Sequence, residues 1–157
     1  MGLRRDGREA AIQFLYQVDT HKPANVEEAL AAFWKQNDEP QNVRDFTNDL
    51  LRGALDKLPE VDAKIRTLAD NWDFERLAVV DRNILRLAVY EMLFRPEIPP
   101  VVSINEAIEI AKKFSTAESG KFVNGLLDRV KKELLRPARQ AAGTDPTDLR
   151  RKFLNRG

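Results

Sequence analysis

Apolar residues recur along this chain with the period of an α-helix. Ala11, Phe14, Leu15 and Val18 share one helical face, and Val26, Ala29, Leu30, Phe33 and Trp34 repeat the pattern after a break at Pro23. Val43, Phe46, Leu50, Ala54 and Leu58 make a third stripe. A fourth helix is predicted to open after Pro59, with Glu60 and Asp62 in a first turn where carboxylates suit the helix dipole, and Val61, Ile65 and Leu68 on its face. Between Arg76 and Phe94 apolar residues occupy more than one face, including Leu77, Val80, Ile84, Leu85, Leu87 and Leu93, which predicts a central helix contacted from several sides.

Ser103 and Glu106 stand at capping-box spacing, so a further helix is expected to begin at Ile104 and to carry Ile104, Ala107, Ile108, Ala111 and Phe114 as its apolar stripe. The pattern then breaks over Ser115–Gly120, which reads as a loop. A last helix resumes with Phe122, Val123, Leu126, Leu127, Val130 and Leu134, leaving Lys121, Asn124 and Gly125 off its apolar face. Gly125, lacking a side chain, is expected to admit a neighbouring helix or a nucleic-acid backbone. The prolines at 23, 40, 59, 96, 99, 100, 137 and 146 fall between these segments, where a residue without an amide proton does least harm. No stretch alternates with period two for long enough to form a sheet. An all-α fold follows, with one domain over residues 1–136 and a basic tail over 137–157 that is either disordered or a short docked helix.

Composition narrows the class. The chain has 157 residues, 43% hydrophobic and 32% charged, and no apolar run approaches the roughly 20 residues that span a bilayer. A soluble, cytoplasmic protein is expected: the start MGLRRDGRE lacks the apolar core of a signal peptide, and the chain has no cysteine for disulfides or thiolate metal sites. The net charge of +1 conceals a separation, since residues 24–63 hold 9 acids against 4 bases and residues 129–157 hold 3 acids against 9 bases. One basic surface of this kind suits an anionic partner, although a charge run is more often a solvated face.

Catalysis finds little to work with. His21, the sole histidine, lies beside Lys22-Pro23 where a helix ends, and Glu106 and Glu109 have capping and pairing roles to fill. There is no glycine-rich phosphate loop, metal-ligand spacing or hydrolase elbow, so neither an enzyme nor a cofactor is implied. Binding fits better. Arg4, Arg5 and Arg8 open the first helix with permanent charge suited to phosphates, and Gln13 and Tyr16 continue it with groups able to meet bases. Cations on the backbone with aromatics or amides on splayed bases is how single-stranded RNA is commonly held. The competing reading is that the arginines solubilise a helix end and Tyr16 is core.

Several segments together resemble the NusB transcription antitermination family. These are RRDGREAAIQFLYQ from Arg4 to Gln17, the central DRNILRLAVYEM, and PVVSINEAIEIAKKF followed by KFVNGLLD. The resemblance covers residues 4–131 in order, and its most specific part runs from Ile104 to Asp128. It implies seven or so helices in two packed subdomains, and binding of single-stranded boxA RNA in ribosomal RNA leader transcripts. It further implies work with NusE, a small-subunit ribosomal protein, in an antitermination complex on RNA polymerase. Carried onto matching positions, RNA contact falls to Arg4, Arg5, Arg8, Gln13, Tyr16, Glu118, Lys121, Phe122 and Asn124, and partner contact to Asp81, Arg86 and Tyr90. The chain departs from the pattern at Ser115, where members often carry glycine, at Gly120, where some carry histidine, and in the tail after Pro137. Two alternatives stand beside this one: a helical protein-interaction module that never touches RNA, and a NusB-like domain associated with an RNA methyltransferase. The second is disfavoured because nothing after residue 136 could house a cofactor-binding sheet.

Overall fold

The computed structural model describes residues 2–69 and 74–135. Over these residues the chain forms seven α-helices: α1 Leu3–His21, α2 Val26–Gln36, α3 Gln41–Asp56, α4 Leu58–Leu68, α5 Val79–Phe94, α6 Pro100–Phe114 and α7 Ala117–Leu135. A single 3-10 turn, Phe74–Arg76, precedes α5. No helix among the described residues is long and apolar enough to cross a membrane. The expected tail, 137–157, lies outside the described residues.

Local chemistry accounts for most of the boundaries. Asn25 caps α2 by accepting from the Glu28 amide at 3.0 Å. Helix α1 ends where Lys22 turns left-handed at φ 47° and its amide bonds the Val18 carbonyl, and Pro23 then prevents continuation. Two boundaries differ from the periodicity. α6 begins at Pro100, three residues ahead of Ser103, because proline at the first helical position is already set to φ near −65° and has no amide to satisfy. The Ser103–Glu106 capping box therefore does not form: the Ser103 hydroxyl donates to Glu91 Oε1 at 2.7 Å, and Glu106 reaches across to Arg5. The expected Ser115–Gly120 loop shrinks to a corner. Thr116 Oγ1 accepts from the Ser119 amide at 3.0 Å, which starts α7 at Ala117 and places Gly120 inside it.

Helices α1, α2 and α3 pack as one group and α4 to α7 as another. α5 lies at the junction, packed against α1, α3, α4, α6 and α7, as its several apolar faces predict. Phe14, Leu50, Leu51, Ile65, Ile84, Leu85, Leu87, Ile110 and Leu127 are fully buried across both groups, so one core spans them. Two glycines set close approaches. A Cβ on Gly7 would stand 2.4 Å from the Phe46 ring, and one on Gly53 would stand 1.7 Å from the Tyr90 hydroxyl, so α1–α3 and α3–α5 pack at distances that a larger residue would prevent. Gly125 is different, for among the described residues no atom beyond its own stretch of α7 lies within 4 Å of where its Cβ would be, so no other helix uses the space expected there.

Candidate nucleic-acid interface

The first turns of α1 carry the arginines, and the fold separates them by depth. Arg4 is exposed. Arg5 is half-buried beside α6, where its Nε bonds both oxygens of Glu106 at 3.0 and 2.9 Å and its Nη2 bonds Oε2 as well. These hydrogen bonds, then the attraction of the guanidinium and of Arg8, hold the Glu106 carboxyl below its usual range against the opposing effect of burial. The same contact raises Arg5. An open groove of about 490 Å³ lined by Gly2, Leu3, Arg4, Arg5 and Glu106 runs along this edge.

Arg8 points the other way. It is 4% exposed, with Nε and Nη2 bonding the two oxygens of Glu91, itself 1% exposed, at 2.8 and 3.1 Å. The expectation of a surface phosphate contact does not fit this placement, because a guanidinium enclosed with its counter-ion has no face toward solvent. Arg4 and Arg8 stand one turn apart on the same side of α1, so the split follows from depth along the helix: Arg4 lies in the exposed first turn, and Arg8 lies where α1 meets Glu91 of α5.

Glu9, Gln13 and Tyr16 follow Arg5 at i+4, i+8 and i+11, on one side of α1. Gln13 and Tyr16 are exposed, Tyr16 at 40%, which removes the reading of Tyr16 as core. Glu9 bonds Lys113 Nζ of α6 at 2.6 Å. Two ion pairs, Arg5–Glu106 and Glu9–Lys113, thus tie this side of α1 to α6, and α6 packs along α7.

On α7 the residues Glu118, Lys121 and Asn124 are exposed, while Phe122 is half-buried and packed against the core. Lys121 Nζ stands 3.8 Å from Glu118 Oε1. Arg5 and Lys121 each engage an acid of their own, and α6 joins the two helices that carry them. Two exposed side chains at the end of α6, Lys113 and Phe114, escaped the sequence reading as site residues; that reading had Phe114 in the apolar stripe. Phe114 ends α6, where the core no longer covers it; it is 42% exposed, with Lys113 Nζ 5.2 Å from its ring centroid. Its place as the last residue before a polar run was the available signal.

The three expected partner contacts all lie inside. Asp81, 7% exposed, accepts from the Ser119 hydroxyl at 2.8 Å, and Ser119 in turn meets Ser115 and Thr116, so α5 is tied to the start of α7. Arg86 makes a bidentate pair with Asp62 of α4 at 2.8 and 2.9 Å and reaches Asp19 of α1 at 3.1 Å. Burial would raise the Asp19 carboxyl, but bonds from Arg82 and Asn83 and the charges of Arg86 and Arg82 outweigh it and hold it below the usual range. Tyr90 is 4% exposed, and its hydroxyl accepts from Arg95 Nε at 2.8 Å. Burial lowers Arg95, yet its bonds to Asp49 and Tyr90 prevail and raise it. As direct partner contacts these three side chains do not fit: all are buried, Arg86 and Tyr90 are engaged internally, and Asp81 Oδ1 is enclosed without a hydrogen-bond partner among the described residues.

The NusB family model matches residues 5–132. The chain belongs to the NusB family. The transcription antitermination protein NusB of Thermodesulfovibrio yellowstonii is 45% identical over 139 residues, covering 83% of this chain and 92% of that one. Among solved structures, T. maritima NusB superposes with a TM-score of 0.75 at 41% identity, covering 83% of this chain and 91% of the other. A second, described as antitermination factors NusB and NusE in complex with dsRNA, gives 0.75 at 28% identity and covers 85% and 98%. The NusB-like fold expected from the resemblance is thereby established, with this chain spanning nearly the full length of those relatives.

Proposed function

We propose that this NusB-family chain is a non-catalytic adaptor of transcription antitermination. It binds single-stranded boxA RNA of ribosomal RNA leader transcripts together with NusE, within the antitermination complex on RNA polymerase. In this reading the RNA path is a strip from Arg4, Arg5, Gln13 and Tyr16 on α1, across Lys113 and Phe114 on α6, to Lys121 and Asn124 on α7, and what supports it is that α1 is ion-paired to α6, that α6 packs along α7, and that each helix brings these groups to solvent. It combines permanent cations, an exposed phenol and phenyl, and two side-chain amides, which together suit a phosphate backbone and unstacked bases. Phe122 supports the α7 edge and Glu118 screens Lys121; both border the same RNA path. Arg8 backs the strip from the interior.

NusE, in this reading, meets the region around α5. Asp81, Arg86 and Tyr90 act there from beneath the surface, by fixing α5 against α7, α4 and α3. The likeness to a NusB–NusE complex supports the partner, and the family's antitermination name supports the process.

The test is a titration of labelled boxA RNA, a scrambled strand of equal length and a duplex of the same sequence, with and without NusE, across a salt series. Preference for the boxA strand, an affinity that falls with salt and a gain with NusE are expected. Equal binding to scrambled strand under all conditions overturns the specificity, and preference for the duplex overturns the single-strand assignment.

A further inference from the structure

Arg5 is the best-placed cation of the strip, and it is already engaged. Its Nε and Nη2 both face the Glu106 carboxylate, at 2.9 Å for Nε to Oε2, and the pair borders the groove with Arg4 and Leu3. Glu106 is held in place from a second side, with Oε1 3.7 Å from Nη1 of the buried Arg8. A carboxylate gripped by two arginines does not swing away freely. A phosphate approaching Arg5 must displace an acceptor of matching fork geometry, and one isolated phosphate contact offers nothing extra for doing so. An RNA that also engages Tyr16, Phe114 and the α7 edge gains contacts that offset the exchange.

We propose that Glu106 is a specificity-determining residue of the RNA interface, an internal competitor that occupies Arg5 until an RNA matching the rest of the strip displaces it. The role rests on the RNA-binding reading above. It makes Glu106 a repulsive element toward wrong sequences, which discriminates as effectively as an added contact to the right one.

The test uses the full chain and two RNAs of equal length, the boxA strand and its scrambled counterpart, titrated across a salt series. Glu106→Gln keeps an acceptor for Arg5 and removes the charge. It is expected to tighten scrambled-strand binding by about threefold or more at low salt, to steepen the log–log salt slope by about 0.7 as one further phosphate is engaged, and to improve boxA binding less, so that discrimination narrows. Glu109→Gln removes the same charge from an exposed neighbour that pairs with Lys112, and should leave slope and discrimination unchanged. Adding Arg5→Ala to Glu106→Gln should abolish the gain.

Arg5→Ala in the otherwise unaltered chain gives a reading that does not depend on Glu106→Gln folding: it should weaken the boxA strand while leaving the scrambled strand within about twofold, because scrambled RNA never dislodges Glu106. Unchanged slope and discrimination in Glu106→Gln, the same effect from Glu109→Gln, survival of the gain without Arg5, or equal losses on both strands in Arg5→Ala each overturn the proposal. A wild-type chain that fails to prefer the boxA strand overturns the RNA reading instead, so the two failures are distinguishable.

Discussion

Replacing Arg8 with methionine separates the two roles that its position near Arg4 and Arg5 invites. Arg8 and Glu91 are 4% and 1% exposed, their fork is bonded at 2.8 and 3.1 Å, and the Ser103 hydroxyl at 2.7 Å is the other hydrogen bond on that carboxylate. Methionine leaves Glu91 enclosed with one neutral donor. Removing one partner of a buried pair costs about 3–5 kcal/mol, far more than the pair contributes over a well-packed apolar substitute. For a chain of this length each kcal/mol moves the melting temperature by about 2–4 °C, so Arg8→Met should melt about 6–20 °C below wild type. Changing Glu91 to leucine as well should restore most of the loss, short of about 1 kcal/mol for the Ser103 hydroxyl left without its acceptor.

The assay is thermal and urea unfolding followed by circular dichroism, with the RNA salt slope measured on each variant well below its melting point. The slope should stay at the wild-type value, since no phosphate reaches Arg8. A wild-type melting temperature in Arg8→Met, or a shallower slope with stability unchanged, refutes the reasoning and returns Arg8 to the phosphate contacts expected from its sequence position.

Phe114→Ala, at an exposed helix end, should cost RNA affinity worth about 1–3 kcal/mol if a base stacks there, with little change in melting temperature; equal affinity removes Phe114 from the interface. Gly53→Ala drives a methyl group into the Tyr90 hydroxyl, which would lie 1.7 Å from it, and should destabilise by about 1–3 kcal/mol. Unfolding that is unaffected would mean α3 and α5 separate more easily than their packing indicates. Asp19 and Glu106 are both held below their ordinary carboxylate range in the fold, so the unfolded chain binds more protons: their stabilisation is complete above the unfolded values of about 4 and is lost as pH falls through the lower folded values. Asp19→Asn should flatten that acid limb in urea midpoints measured from pH 6 to pH 2, and an unaltered limb would assign the acid sensitivity elsewhere.

Much of the fold was legible in the chain because helical period is a local property. Seven helical segments, the proline-marked connections and the many-sided α5 follow from spacing alone, since each needs only neighbours within a few turns. The family resemblance was legible for a similar reason, as ordered motifs survive in the sequence whatever they touch. Legibility failed where one residue type serves two purposes. Ser103 and Glu106 fit a capping box, and although Pro100 marked an earlier start, the groups that the two side chains bond lie on other helices, 12 and 101 residues away in the chain. The start of α7 was missed because Thr116 caps it from within a run that reads as loop.

By itself, then, the sequence determined an all-helical NusB-family chain with an arginine-rich start and a polar exit from α6. Tertiary structure decided which of those arginines is available. Arg4, Arg5 and Arg8 are alike in composition and neighbourhood, but Arg8 meets a carboxylate 83 residues away and Arg5 one 101 residues away. The first pair is sealed in the core and the second lies at the rim of an open groove. Burial sets the fate of a charge, and burial is a property of the packed helices, which no stretch of this chain encodes alone.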